Sequence, residues 1–141
     1  MTWKELVVSV CGTFMSENLD TYILNVSERY GVDKEITLSV VHTESRCFKD
    51  AVGNSGELGL MQVTPRWHME RAKNLGVEDL LDPYSNILVG VSLLKDLDVN
   101  ENPIQALEIY NGGYVKSAAA TRYANNVYSK SETYKQLLVH R

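Results

Sequence analysis

Most of the structural signal in this chain lies in residues 33–65, which read DKEITLSVVHTESRCFKDAVGNSGELGLMQVTP. Asp33 can cap a helix, in which Ile36 and Val40 begin an apolar stripe with helical spacing. Glu44 continues the same stripe, at i+8 from Ile36. The spacing therefore predicts a helix on which the carboxyl group of Glu44 points toward the core.

The helical periodicity ends after Glu44. Residues 50–59 contain three glycines, an asparagine and a serine, which supply turn conformations. Apolar residues resume at positions 60–63, and Pro65 follows them. We expect a loop or a short hairpin directly after the helix that carries Glu44.

The rest of the chain is predicted to be mostly helical. Leu19, Ile23 and Val26 fall on one helical face, and Gly31 follows where a helix would end. No repeat or linker divides the chain, so we expect one mainly α, multi-helix domain over residues 1–141. Four further segments are typical of helices: 66–75, 85–97, 103–111 and 121–138.

The composition is that of an ordinary globular protein, with 44% hydrophobic and 23% charged residues. The formal net charge is -4 and no run of Lys or Arg occurs, so we expect no nucleic-acid partner. The apolar run at residues 6–15 is far shorter than the roughly 20 residues that cross a bilayer. It also lacks the flanking charge and cleavage site of a secretory signal, so we assign it to the mature fold and expect no membrane span.

Cysteine and histidine are too sparse to predict a site. Cys11 and Cys47 form neither a CxxC pair nor a Cys/His set, so neither a zinc site nor a disulfide framework can be argued. Their redox state stays open at this point. His42, His68 and His140 are too scattered for a ligand set, and we predict neither a metal nor a cofactor.

Glu44 is the most unusual residue, because it ends an apolar helix face just before a glycine-rich loop. Burial disfavours the carboxylate anion and raises the pKa of a glutamate. A glutamic acid that stays protonated near neutral pH is what a general acid for glycosidic bond cleavage requires. The structural alternative is a carboxylate that caps the helix end or forms a salt bridge there.

The wider pattern resembles the soluble lytic transglycosylase family. In that family a Glu-Ser pair is followed by a glycine, then by Gly-Leu-Met-Gln and then by a proline, at offsets that this chain reproduces. The matching residues are Glu44, Ser45, Gly56, Gly59, Leu60, Met61, Gln62 and Pro65. The likeness extends over roughly residues 33–130, through Asn86-Ile87 with Gly90, residues 106–113, and Tyr123 with Val127.

Four positions depart from the family pattern. Cys47 stands where an aromatic residue usually follows the Glu-Ser pair, and Lys49 stands where a proline is common. Gly53 occupies the usual serine position, and Glu57 replaces the expected small residue. We therefore expect a loop of different shape, in which Ser55 supplies the missing hydroxyl group.

The resemblance implies a lysozyme-like fold and cleavage of the β-1,4 bond between N-acetylmuramic acid and N-acetylglucosamine in peptidoglycan. Glu44 would act first as the acid and then as the base, and the muramoyl 6-hydroxyl would close on C1 to give a 1,6-anhydro end. No second carboxylate is obligatory for this route.

The resemblance also implies a set of substrate-binding residues. Amides with donors and acceptors suit the N-acetyl and hydroxyl groups of a sugar, and a phenol can bond the catalytic carboxyl or stack on a sugar ring. For each of them capping, loop bracing or core packing is the structural alternative. The set is Ser55, Met61, Gln62, Tyr110, Asn111 and Tyr123.

Two other functions stay open. A muramidase that uses water would need a second carboxylate, for which Glu57, Asp50 and Asp82 are the candidates. A cell-wall binding or assembly module without turnover could share the fold. In each case we expect peptidoglycan glycan strands as the partner and a monomer that acts in the periplasm or cell wall. A phage endolysin, a virion enzyme or a subunit delivered by a secretion system would fit.

Overall fold

The computed structural model describes residues 1–13 and 18–139 and is mainly α-helical, as predicted. Within this part only isolated antiparallel bridges occur, between Val52, Leu58 and Val63. None of its helices combines the length and the apolar character that a bilayer crossing would need. The helices are α1 (Trp3–Cys11), α2 (Leu19–Tyr30), α3 (Lys34–Ser45), α4 (Pro65–Asn74), α5 (Pro83–Asp96), α6 (Pro103–Gly112) and α7 (Ala118–Val139).

The helix ends follow local capping chemistry. Gly31 ends α2 in the left-handed conformation, as predicted from the sequence. Prolines occupy the first position of α4, α5 and α6, because a helix does not use the missing N–H there. Helix α1 includes residues 6–11 of the apolar run at residues 6–15 and begins at a capping box between Thr2 and Glu5. The last two residues of that run lie outside the described residues.

We call α3 the central helix because it packs against α1, α2 and α7. Its side chains are buried along most of its length, including small polar ones. The Ser27 hydroxyl donates to the Thr37 hydroxyl at 2.9 Å, and the Ser39 hydroxyl donates to the Val127 carbonyl at 2.8 Å. These bonds satisfy the buried polar groups. Glu44, near the end of α3, is therefore carried by a firmly held helix.

Asp33 precedes α3 at the capping position, but its carboxylate makes no capping hydrogen bond. The carboxylate instead pairs with the ammonium group of Lys135 in α7, at 2.8 Å. The predicted capping bond is thus replaced by an ion pair that fixes the start of α3 against α7.

A disulfide joins Cys11, the last residue of α1, to Cys47, which follows α3. Both cysteines are buried, and their Cα atoms are 5.5 Å apart. Arg46 and Cys47 are consecutive residues with positive φ, 53° and 67°, so the chain turns sharply after the helix of Glu44. The sequence left the state of these cysteines open, and the structure pairs them across this turn.

Candidate active site

The carboxyl group of Glu44 meets the phenol of Tyr123, which α7 carries. The Tyr123 hydroxyl donates to Oε2 of Glu44 at 2.8 Å. The pKa of Glu44 is raised from 4.5 to about 7: burial raises it most, the hydrogen bond from Tyr123 lowers it, and the negative charge of Glu57 raises it. The protonated form of Glu44 is therefore populated near neutral pH, as a general acid requires.

Two tyrosines flank this carboxyl group. Burial raises the pKa of both Tyr110 and Tyr123 well above 10, and the charge of Glu44 adds to the effect. Both phenols therefore stay protonated and act as donors. Tyr110 donates to the carbonyl of Met61 at 2.6 Å, so it fixes the loop beside Glu44 instead of bonding the carboxyl group.

The loop after α3 is held in place by the amides of Gln62 and Asn86. The Gln62 amide nitrogen donates to the carbonyls of Ala51 and Gly59, at 3.1 and 3.0 Å. The fully buried Asn86 of α5 accepts from the Met61 N–H at 2.7 Å. Its amide nitrogen donates to the carbonyls of Leu58 and Leu80, at 2.8 and 2.7 Å. The loop is thus braced from within and from α5.

Gly53 and Glu57 depart from the family pattern together, and the structure connects them. A Cβ atom on Gly53 would lie 2.6 Å from Oε1 of Glu57 and 2.7 Å from Oε1 of Gln62. The same oxygen of Glu57 accepts the N–H of Ser55 at 2.8 Å. Any side chain larger than that of glycine at position 53 would therefore clash with the Glu57 carboxylate where it now lies.

A groove of about 1120 Å³ runs beside the site, between this loop, α4, α5 and the end of α6. Of the predicted substrate-binding residues, Ser55, Tyr110 and Asn111 line it, and Glu57 lines it as well. Glu44 is not among the residues that line the groove, but it interacts electrostatically with two residues that do, Tyr110 and Glu57.

The other predicted binding residues have different positions. The side chain of Met61 has no exposed surface and packs against Gly90, so it supports the loop from the core and does not wall the groove. Both donors of the Gln62 amide serve the loop, which leaves its oxygen as the group that can accept. Tyr123 bonds the carboxyl group of Glu44 itself.

Three residues that matter to the site were not assigned to it from the sequence. Asn86 was noted only as part of a family segment, and its bracing bonds join positions far apart in the chain. Trp67 and Tyr114 line the groove and are largely exposed. The sequence offers only weak signals for these two residues: Trp67 lies near the start of a predicted helix, and Tyr114 follows a Gly-Gly pair.

Gly59 gives a test of the loop bracing. It has φ of 77°, and a Cβ atom there would lie 2.5 Å from the Asn86 amide nitrogen and 2.9 Å from the Leu80 carbonyl oxygen. Gly31 has a similar φ of 69° but open space around it. We expect Gly59→Ala to lower the free energy of unfolding by about 1–3 kcal/mol more than Gly31→Ala does. Urea denaturation of both variants measures the difference, and equal losses would contradict the bracing role.

Two relatives of this chain are described as transglycosylases. A transglycosylase of Enterobacteria phage PRD1 is 38% identical over 88 residues, which are 62% of this chain and 32% of that protein. Membrane-bound lytic murein transglycosylase F 1 of Alkalilimnicola ehrlichii is 31% identical over 106 residues, 70% of this chain and 21% of that protein. The chain thus spans a third or less of the length of these curated relatives.

Solved structures share the fold. An inactive mutant of the lytic transglycosylase Slt from Pseudomonas aeruginosa aligns with 90% of this chain and 25% of its own, with a TM-score of 0.74 and 21% identity. The 70-kDa soluble lytic transglycosylase in complex with bulgecin A aligns with 96% of this chain and 28% of its own, with a TM-score of 0.69 and 19% identity. These likenesses confirm the lysozyme-like fold predicted from the sequence.

The family match covers most of the chain. The family described as "Transglycosylase SLT domain" matches residues 21–133, a range that includes α3, the braced loop and the Tyr123 of α7. On this match, the chain belongs to the family of SLT-type transglycosylase domains.

Proposed function

We propose that this chain is a peptidoglycan lytic transglycosylase that cleaves the β-1,4 bond between N-acetylmuramic acid and N-acetylglucosamine. The observation that carries the proposal is the Glu44 carboxyl group, held by the Tyr123 hydroxyl beside a groove and protonated in part at neutral pH. Family membership and the names of the relatives support the same activity.

The proposed reaction uses Glu44 twice. Its carboxyl proton passes to the glycosidic oxygen as the bond from that oxygen to C1 of the muramoyl residue breaks. The resulting carboxylate then takes the proton of the muramoyl 6-hydroxyl, and O6 bonds to C1. The 1,6-anhydro product forms without water, and Glu44 regains its proton. The N-acetyl group of the substrate can stabilise the developing positive charge at C1.

Mass spectrometry of muropeptides released from purified peptidoglycan tests this proposal. We expect products that end in 1,6-anhydro-muramic acid and are lighter by one water than reducing-end products. Reducing ends would instead identify a muramidase, and an absence of released products from several cell walls would favour a binding module.

A second candidate function, a muramidase that uses water, is favoured by one observation. Glu57 lines the groove and its negative charge acts on Glu44, so in such an enzyme we assign to it the role of holding the water molecule. Of the other predicted carboxylates, Asp82 caps α5 by accepting from the Ser85 N–H at 2.9 Å, and Asp50 does not line the groove. If water is the nucleophile, Glu57→Gln abolishes turnover; in the transglycosylase, turnover persists.

The pH profile of the reaction should report the pKa of Glu44. Because the acid must be protonated, we expect kcat/KM to fall about tenfold per pH unit above a pKa of about 7. Glu57→Gln removes a charge that raises this pKa, so the fall should begin at lower pH. Tyr123→Phe removes a hydrogen bond that lowers it, so the fall should begin at higher pH. Shifts in the same direction for both variants would contradict the assigned geometry.

The site of action that we propose is the periplasm or the cell wall. The disulfide between Cys11 and Cys47 supports an oxidising compartment, because disulfides persist there and are rare in the cytosol. The likeness to a phage transglycosylase supports delivery during phage lysis or from a virion, and export by a secretion system is the alternative. We propose a monomer that contacts peptidoglycan glycan strands.

A further inference from the structure

The groove beside the candidate site holds two exposed aromatic side chains. Trp67 in α4 exposes 70% of its surface, and Tyr114 after α6 exposes 84%. Both line the groove, as Tyr110 and Asn111 do. Large aromatic residues gain the most from burial, so two of them left open in one groove indicate a surface that a ligand covers.

Trp67 lies in the first turn of α4, and a kink separates this turn from the rest of the helix. The kink lies at His68, which has non-helical angles, φ of -128° and ψ of 17°. The guanidinium carbon of Arg66 lies 4.9 Å from the centre of the Trp67 ring. This cation–π contact holds the ring at the groove wall, and it can cover only one of the two ring faces.

Tyr114 approaches the groove from the opposite element. It follows Gly113, whose φ of 74° ends α6 with a left-handed residue. The helix ends at this residue, and the Tyr114 side chain lines the groove together with Asn111. Trp67 and Tyr114 thus border one groove from α4 and from the end of α6.

The charges of the groove indicate a ligand without strong charge. Two arginines and three acidic residues line it, and Arg71 is paired with Asp96 at 2.7 Å. A polyanion would meet these acidic side chains in a chain of net charge -4. The pyranose ring of an N-acetylhexosamine is neutral, and its C–H-rich face packs on aromatic rings.

We propose that Trp67 and Tyr114 form a sugar-stacking site that binds N-acetylhexosamine rings of the glycan strand away from the bond that is cleaved. This inference rests on the proposed function for the identity of the strand. The site lengthens the bound segment and places the strand relative to Glu44. It acts in binding, so it does not require turnover.

Tryptophan fluorescence tests the site directly, because the chain has two tryptophans, Trp3 and Trp67. Trp3 lies in α1, where its indole N–H donates to the Asp20 carbonyl at 2.7 Å. Two double variants are made, each combining Glu44→Gln with either Trp3→Phe or Trp67→Phe. Soluble, uncross-linked peptidoglycan strands are then added to each protein in increasing concentration. We expect a blue shift of the emission in Trp3→Phe, which retains Trp67, and no shift in Trp67→Phe.

Affinities of alanine variants give a second readout. We expect Trp67→Ala and Tyr114→Ala each to weaken strand binding about tenfold, the scale of one lost aromatic contact. Met69→Ala is the matched control, because Met69 lies in the same helix with 69% exposure but outside the groove. Its affinity should equal that of the parent. Equal affinity of all three variants, or no blue shift in Trp3→Phe, would overturn the stacking site.

The two proposals fail separately. Cleavage by the parent together with unchanged binding by Trp67→Ala would overturn the stacking site and leave the transglycosylase intact. A blue shift and weakened binding without any cleavage by the parent would support the stacking site and contradict the enzyme.

Discussion

Glu44→Gln should lower the rate of peptidoglycan cleavage by about 10²–10⁴-fold, the contribution typical of a general acid and base. Glutamine keeps the shape of the side chain and can accept the hydrogen bond from Tyr123, but it has no acidic proton to transfer to the glycosidic oxygen. Turnover is measured as release of soluble muropeptides. Binding of glycan strands should persist in the same variant.

Glu35→Gln is the control for this substitution. Glu35 lies at the other end of α3, is buried and pairs with Lys34 at 3.1 Å, outside the groove. The same loss of a carboxylate from the same helix should leave the cleavage rate unchanged. If Glu44→Gln cleaves as fast as Glu35→Gln, Glu44 is not the acid.

The Glu44→Gln variant should also be more stable than the parent at alkaline pH. The folded pKa of Glu44, about 7, is above the ordinary value of 4.5, so the folded state binds more protons than the unfolded state between these values. The parent therefore loses stability as the pH rises from about 4.5 to about 7, and the glutamine variant lacks this loss. Thermal melts at pH 5 and pH 8 should show a Tm advantage of the variant that grows with pH.

Helix α3 and the inward direction of the Glu44 side chain could be predicted from the sequence, because both depend on local spacing. Ile36, Val40 and Glu44 share one face, and this periodicity predicted correctly that Glu44 points inward. The end of helix α2 was predicted correctly, because Gly31 marks the boundary. Where prolines begin a helix, the predicted start fell one or two residues late in two of the three cases, Pro65 and Pro83.

What the sequence could not show depends on contacts between distant positions. The bonds of Asn86 to the loop span up to 28 residues, and the pairing of Asp33 with Lys135 spans 102. The direction of the Met61 side chain depends on the close approach of Gly90 in α5. The spacing of residues along one helix does not show which other element of the chain packs against each of its faces.

The disulfide between Cys11 and Cys47 is the contact with the largest expected effect on stability. It bridges a sequence separation of 36 residues. Closing a loop of that length lowers the entropy of the unfolded chain and so stabilises the folded state by about 3–4 kcal/mol. It also holds the turn at Arg46 and Cys47, where two left-handed residues in succession are unfavourable on their own. This turn directly follows the end of α3, three residues or fewer from Glu44.

Reduction of the disulfide should therefore lower both stability and activity. We expect dithiothreitol to lower the Tm of the parent by roughly 10 °C, and to lower cleavage even below the melting range, because the turn after Glu44 loosens. The double variant Cys11→Ala/Cys47→Ala should melt near the reduced parent and be insensitive to dithiothreitol, since no other cysteine is present. Equal melting and equal rates for the oxidised and reduced parent would show that the core alone holds the turn. A lower Tm with an unchanged rate would separate the two roles and confine the disulfide to stability.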